Sequence, residues 1–229
     1  MPLNIVERPS PNHDPRAEGP VDILVMHYTG MRTAEEALLR LCDPAAKVSS
    51  HYTVDCDGTI YQHVAENRRA RHAGVSYWAG VRDVNSRSIG IEIVNPGHEF
   101  GYTAFPDGQI AAVIALSRGI LSRHSIPAAR VVGHSDVAPD RKQDPGELFP
   151  WLQLAESGIG KWPNANAPRQ GNSTKAFADD LRRYGYGVPP DVDWPLTDVI
   201  AAFQRHFRPQ RIDGRADAEC AAILQALSS

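Results

Sequence analysis

At 229 residues and 25.1 kDa the chain suits one main domain plus a small appendage, at about 150 residues per domain, and fits a single large barrel poorly. Its 24 Lys and Arg against 27 Asp and Glu leave a net charge of -3, without the positive field that sequence-independent phosphate contacts need, so nucleic acid is not an expected partner. Hydrophobic residues at 42% and charged residues at 22% support a packed core, and no apolar run approaches the ~18 to 20 residues of a membrane span.

Residues 1–20 carry Pro2, Pro9, Pro11, Pro15 and Pro20 with little apolar periodicity, which predicts an irregular arm across the domain surface. Val21 to His27 is a short apolar run mostly without alternation, the pattern of a strand covered on both faces. Thr33 and Glu36 form a capping box ahead of a helix through Ala37 to Leu41. Tyr52 to Asp55 and Thr59 to His63 flank Cys56-Asp57-Gly58, a hairpin signal. From Ser88 to Val94 the alternation puts Ile89, Ile91 and Ile93 on one strand face and forces Gly90 and Glu92 onto the other.

Ile110, Val113, Ile114, Ser117 and Leu121 recur at helical spacing after Asp107, predicting a long amphipathic helix that runs to His124. Arg130 to Gly133 reads as a short strand with His134 at its end, and Ser135 to Pro150 as a functional loop. Residues 21–158 thus form the main domain and 159–172, rich in Gly, Pro and Asn, a linker. Residues 173–229 carry three helical patterns, after Ser173 or Thr174, after Thr197, and beyond the turn Asp213-Gly214. The expected fold is α/β, a central mixed sheet flanked by helices, followed by a small three-helix domain.

A hydrolytic zinc site needs three nitrogen or oxygen ligands, a position open to water and a nearby base. His27 closes the first strand, His134 closes Arg130 to Gly133, and Asp144 lies ten residues on, in a loop able to fold back over the same edge. Alone these are ambiguous, because a strand-end histidine is more often a hydrogen-bonding residue than a ligand. There is no His-Glu-x-x-His, no Gly-x-Ser-x-Gly elbow, no Walker loop and no Gly-x-Gly-x-x-Gly.

Five segments in order resemble the zinc-dependent N-acetylmuramoyl-L-alanine amidases. They are Val25 to Thr29, Ser50 to Tyr61, His72-Ala-Gly74, Ser88 to Asn95 and Gly133 to Gly146. The nearest likeness is to the type-2 group, which includes bacterial recycling and outer-membrane enzymes and phage lysozyme-like amidases. The tail resembles a three-helix peptidoglycan-binding module through Phe203 to Phe207 and Ile212 to Asp217.

The resemblance implies hydrolysis of the amide between the lactyl group of N-acetylmuramic acid, or its 1,6-anhydro form, and L-alanine of the stem peptide. It implies one zinc ion on His27, His134 and Asp144, with Glu92 moving the proton from water to the leaving amine and Lys142 facing the developing oxyanion. Tyr28, His72, Trp78 and Asn95 are the expected substrate contacts, and muropeptides or peptidoglycan fragments the expected partners, with no protein partner. Relatives often carry an aromatic where this chain has Arg71.

Each role has a plainer rival. Glu92 as a core carboxylate paired with an arginine, Lys142 as a solvated charge beside Arg141, Tyr28 as packing and Asn95 as a strand terminator are the alternatives. His51 and Tyr52 read as structural, and His13, His63, His98, His124 and His206 receive no role. Two rivals to the whole function are a peptidoglycan-binding protein without turnover and a zinc peptidase cutting a different bond. Cys42, Cys56 and Cys220 are odd in number and far apart, which suits a reducing, cytoplasmic compartment. The periplasm or cell envelope is the alternative if a leader has been removed.

Overall fold

The apolar runs at Val21 to His27 and Ser88 to Val94 become neighbouring central strands, because each offers branched side chains to two covering layers. The protein, seen here as a computed structural model, is described over residues 3–163 and 174–228. In chain order it forms β1 (Ile5–Glu7), β2 (His13–Pro15), β3 (Ile23–Tyr28), α1 (Ala34–Cys42), β4 (Tyr52–Val54), β5 (Ile60–Gln62), β6 (Arg68–Ala70), α2 (Val84–Arg87) and β7 (Ser88–Ile93). There follow α3 (Gly97–Phe100), α4 (Asp107–Arg123), β8 (Val131–Gly133), α5 (His134–Val137), α6 (Trp151–Glu156), α7 (Thr174–Tyr184), α8 (Leu196–Phe207) and α9 (Ala218–Ser228).

Six strands make one mixed sheet in the order β1-β5-β4-β7-β3-β8, parallel throughout except for the β4–β5 hairpin. The arm expected to be irregular instead contributes two edge strands, β1 beside β5 and β2 antiparallel to β6. Each is only three residues long and edge strands tolerate proline, so strand periodicity had no length in which to show.

One face of the sheet presents Leu24, Met26, Ile89, Ile91 and Ile93 to α4 and α6. The other face presents Ile23, Val25 and Val132, which share a single core with Trp78, Val137 and the apolar sides of α7, α8 and α9. The three C-terminal helices are present as expected, but they cover the sheet and do not close a core of their own. Of the expected linker, residues 164–172 lie outside the described residues, as does the cap candidate Ser173. Among the described residues no helix is long and apolar enough to cross a membrane.

Strand register decides where the polar groups meet. Pairing of β3 with β7 sets Val25 opposite Gly90 and His27 opposite Glu92, and pairing of β3 with β8 sets Met26 opposite Gly133, one residue before His134. The chemistry-bearing groups therefore gather at the C-terminal ends of parallel strands, where open α/β sheets form their crevices.

Candidate metal centre

His27 and His134 meet Asp144 although they are far apart in the chain. His27 Nδ1 and His134 Nδ1 are 2.9 Å apart, and Asp144 Oδ2 lies 3.1 and 3.0 Å from them. All three residues are buried, and among the described residues they are the one such group of His, Cys, Asp or Glu able to hold a metal ion. The loop after α5 brings Asp144 back: Ser135 N donates to Asp144 O at 2.8 Å and Lys142 N to Ala138 O at 3.0 Å.

The hydrogen bonds around the cluster assign its protons. His134 Nε2 lies 3.1 Å from the carbonyl oxygen of Ala73, so Nε2 carries the hydrogen and Nδ1 is bare. Ser88 Oγ donates its single proton to Val84 O at 2.6 Å and therefore accepts from His72 Nε2 at 3.1 Å. His72 Nδ1 is then an acceptor for His27 Nε2 at 3.0 Å, which leaves His27 Nδ1 bare as well.

Burial, then the neighbouring His134, pushes His27 down to about 4, so its ring is neutral near pH 7. Two bare ring nitrogens and a carboxylate oxygen thus face one another in a buried spot, an arrangement that repels itself unless a cation sits among them. Two imidazoles and one carboxylate is a donor set that fits zinc.

Glu92 borders this cluster. Its Oε2 is enclosed and has no hydrogen-bond partner among the described residues, and no arginine neutralises it. Burial first and the charge of Asp144 second raise its carboxyl well above the usual range, with Lys142 pulling the other way. Glu92, Lys142, His72, His134 and Asp144 line one cleft of about 480 Å³.

The remaining expected contacts divide. Tyr28 lines the cleft, its hydroxyl 3.0 Å from His98 Nδ1, and His98 in turn meets Glu147 at 3.1 Å. His98 is thus a cleft residue that the sequence alone did not single out. His72 also borders the cleft, but both its ring nitrogens are engaged within the protein, so it contacts His27 more directly than any ligand.

Asn95 is not at the cleft: it is buried, with Nδ2 donating to Thr103 O and Oδ1 accepting from Gly97 N, and so orders the loop that bears His98. Trp78 is likewise misplaced by the sequence reading. It is 1% exposed and packs edge-on against Tyr186 at 4.8 Å, inside the core under the C-terminal helices. Arg71 is held by two bonds to Asp14 of β2 at 2.8 and 3.0 Å, so the N-terminal arm fixes this side of the cleft. His51 is structural as expected, accepting from Gly90 N at 2.9 Å.

A sequence profile of N-acetylmuramoyl-L-alanine amidases matches residues 17–147. The chain belongs to the N-acetylmuramoyl-L-alanine amidase family. This amidase is 42% identical over 230 residues to N-acetylmuramoyl-L-alanine amidase AmiD of Escherichia coli (strain K12), a match spanning 90% of this chain and 82% of AmiD. To the 1,6-anhydro-N-acetylmuramyl-L-alanine amidase AmpD of the same organism it is 35% identical over 165 residues, spanning 64% of this chain and 87% of AmpD.

Among solved structures, E. coli AmiD in complex with the substrate anhydro-N-acetylmuramic acid-L-Ala-D-gamma-Glu-L-Lys superposes with a TM-score of 0.82 at 41% identity, covering 92% of this chain and 90% of that one. AmpDh3 from Pseudomonas aeruginosa gives 0.83 at 36% identity, covering 93% and 92%. The family profile ends before α6, whereas these two likenesses take in most of the chain.

Proposed function

We propose that this amidase hydrolyses the amide joining the lactyl group of N-acetylmuramic acid, or its 1,6-anhydro form, to L-alanine of peptidoglycan stem peptides, with one zinc ion on His27, His134 and Asp144. One observation carries the reading: three bare donor atoms converge beside a carboxylate whose Oε2 is enclosed and has no partner. The likeness to AmiD, whose structure holds an anhydromuramyl peptide, supports the substrate class.

An ion held there supplies Lewis acidity, bringing the pKa of water to about 7 and polarising the scissile carbonyl. Glu92, fixed on β7 opposite His27, takes the proton of the attacking water. Its raised proton affinity then suits it to return that proton to the departing amine of L-alanine. Lys142 sets its charge against the carbonyl oxygen as negative charge develops there. His72, backed by Ser88, keeps the proton of His27 on Nε2 so that Nδ1 stays available. Tyr28 and His98 form the wall along which the peptide lies. The catalytic unit is residues 21–158, with α7 to α9 as a helical unit docked on it.

A binding protein without turnover has no use for an enclosed, unpaired carboxylate beside a ligand triad, and a peptidase would cut within the stem peptide. Incubation of the zinc-loaded protein with anhydromuramyl peptide, followed by mass spectrometry, tests both. Free 1,6-anhydro-N-acetylmuramic acid and a peptide beginning with L-alanine are expected; intact substrate, or cleavage between amino acids, overturns the reading.

A further inference from the structure

We infer that Tyr186 and His206, from the C-terminal helical unit, are positioning residues for the metal centre: together they grip Asp136 and so hold the turn that presents His134. The inference rests on the zinc reading above and concerns side chains outside the stretch matched by the family profile.

Asp136 lies in α5, two residues beyond His134, and is 0% exposed. Its Oδ1 accepts from the Tyr186 hydroxyl at 2.6 Å, and its Oδ2 accepts from Gly133 N at 2.7 Å and from His206 Nδ1 at 2.7 Å. A buried carboxylate is tolerated only when donors surround it. Two of these three donors belong to the C-terminal unit, so the Asp136 carboxylate depends on that unit for its partners.

The two donors are themselves held firmly. His206 stacks on Trp151 at 3.8 Å and on Phe207 at 3.9 Å, and Tyr186 sits edge-on to the buried Trp78 at 4.8 Å. A backbone tie reinforces the docking: Ala79 N donates to Gly185 O at 2.7 Å. By contrast α5 is four residues long, so it has little stiffness of its own. If Asp136 lost its distant donors it would turn toward water, and His134 would turn with it. Ligand atoms that meet at hydrogen-bond distance leave no slack for such a rotation.

The test compares full-length variants by zinc affinity, using competition with a chromogenic chelator, and by separate kcat and KM. Tyr186→Phe removes one hydroxyl from a filled core and is expected to weaken zinc binding about tenfold, and Tyr186→Phe with His206→Phe by about 10- to 100-fold, the range for outer partners of metal ligands. In both, kcat falls while KM holds. His206→Asn, which returns an N–H near the Nδ1 position, is expected to retain zinc affinity. Leu224→Ala in α9 trims the same core without touching a donor; it should lower the thermal midpoint and leave zinc affinity unchanged.

Unchanged zinc affinity in the double variant overturns the inference, and so does an equal loss in Leu224→Ala. If the double variant does not fold, Tyr186→Phe alone decides on the same criterion. A wild-type chain that binds no zinc would instead defeat the reading of the site.

Discussion

Replacing Glu92 with glutamine should separate stability from turnover. Glu92 Oε2 is enclosed without a partner, and an unpaired buried polar atom costs about 1–3 kcal/mol. Its ionised form is further disfavoured by burial and by the charge of Asp144. Glutamine keeps the shape, does not titrate, and can donate an amide hydrogen toward the Asp144 side of the cleft. Metal-free Glu92→Gln should gain about 1–2 kcal/mol, which for 229 residues, at about 2–4 °C per kcal/mol, raises the thermal midpoint by about 2–8 °C. Without a base the same variant should lose about 10²-fold or more in turnover while holding one zinc per chain. Calorimetry of chelator-treated protein at pH 7, metal analysis of the loaded protein and chromatography of muropeptide digests measure the three quantities. A lowered midpoint, or zinc lost together with activity, would refute the reasoning and make Glu92 a structural group or a ligand.

Asp144→Ala should weaken zinc binding beyond the ~100-fold ceiling of outer-sphere changes, by the same chelator competition; unchanged zinc content would remove Asp144 from the ligand set. A Cβ at Gly90 would stand 2.6 Å from the His72 ring, so Gly90→Ala should cost about 1–3 kcal/mol in denaturant unfolding and loosen the His72–His27 bond. His51, 0% exposed, is pushed down to about 3 from 6.5, chiefly by burial and then by Arg16. The unfolded chain takes up that proton first, so the contribution is full above pH 6.5 and drains away toward pH 3; between pH 7 and 5 it amounts to about 2 kcal/mol. Urea unfolding at the two pH values should show this loss in the wild type and not in His51→Gln, and an identical slope in both would disprove it. Ending the chain at residue 163 uncovers Ile23, Val25, Val132 and Trp78, so the truncated protein should lose its cooperative melt and bind a hydrophobic dye; a sharp melt at the full-length midpoint would contradict the shared core.

The strands bearing His27 and Glu92 were legible because alternation at Ile89, Ile91 and Ile93 dictates which way Glu92 points, and the core confirms that face. Asp144 was different. It sits in a turn-rich loop with no period to reveal its direction, and only the resemblance of the surrounding motif named it as a ligand. Trp78 misled because an aromatic near His72 reads as a group for stacking on substrate, whereas its burial depends on Tyr186 and on α8, more than a hundred residues away. Helical spacing in the tail showed that α8 has a buried side but not what covers it, so His206 gave no sign of its bond to Asp136. Residues whose roles depend on one strand's geometry were readable, and those whose roles depend on distant packing were not.

The β7–β3–β8 ladder has a consequence for redesign. His27 and Glu92 take their separation from the fixed spacing of hydrogen-bonded strands, about 4.8 Å per step, and β8, paired to the other side of β3, delivers the chain to His134, which the Asp136 contacts then hold. The outer walls of the cleft, by contrast, come from α1, from the His98 segment and from the arm that grips Arg71. Those walls are free to be exchanged or lengthened to suit longer or branched stem peptides, since the reacting gap is gauged elsewhere, by main-chain pairing that such changes leave alone.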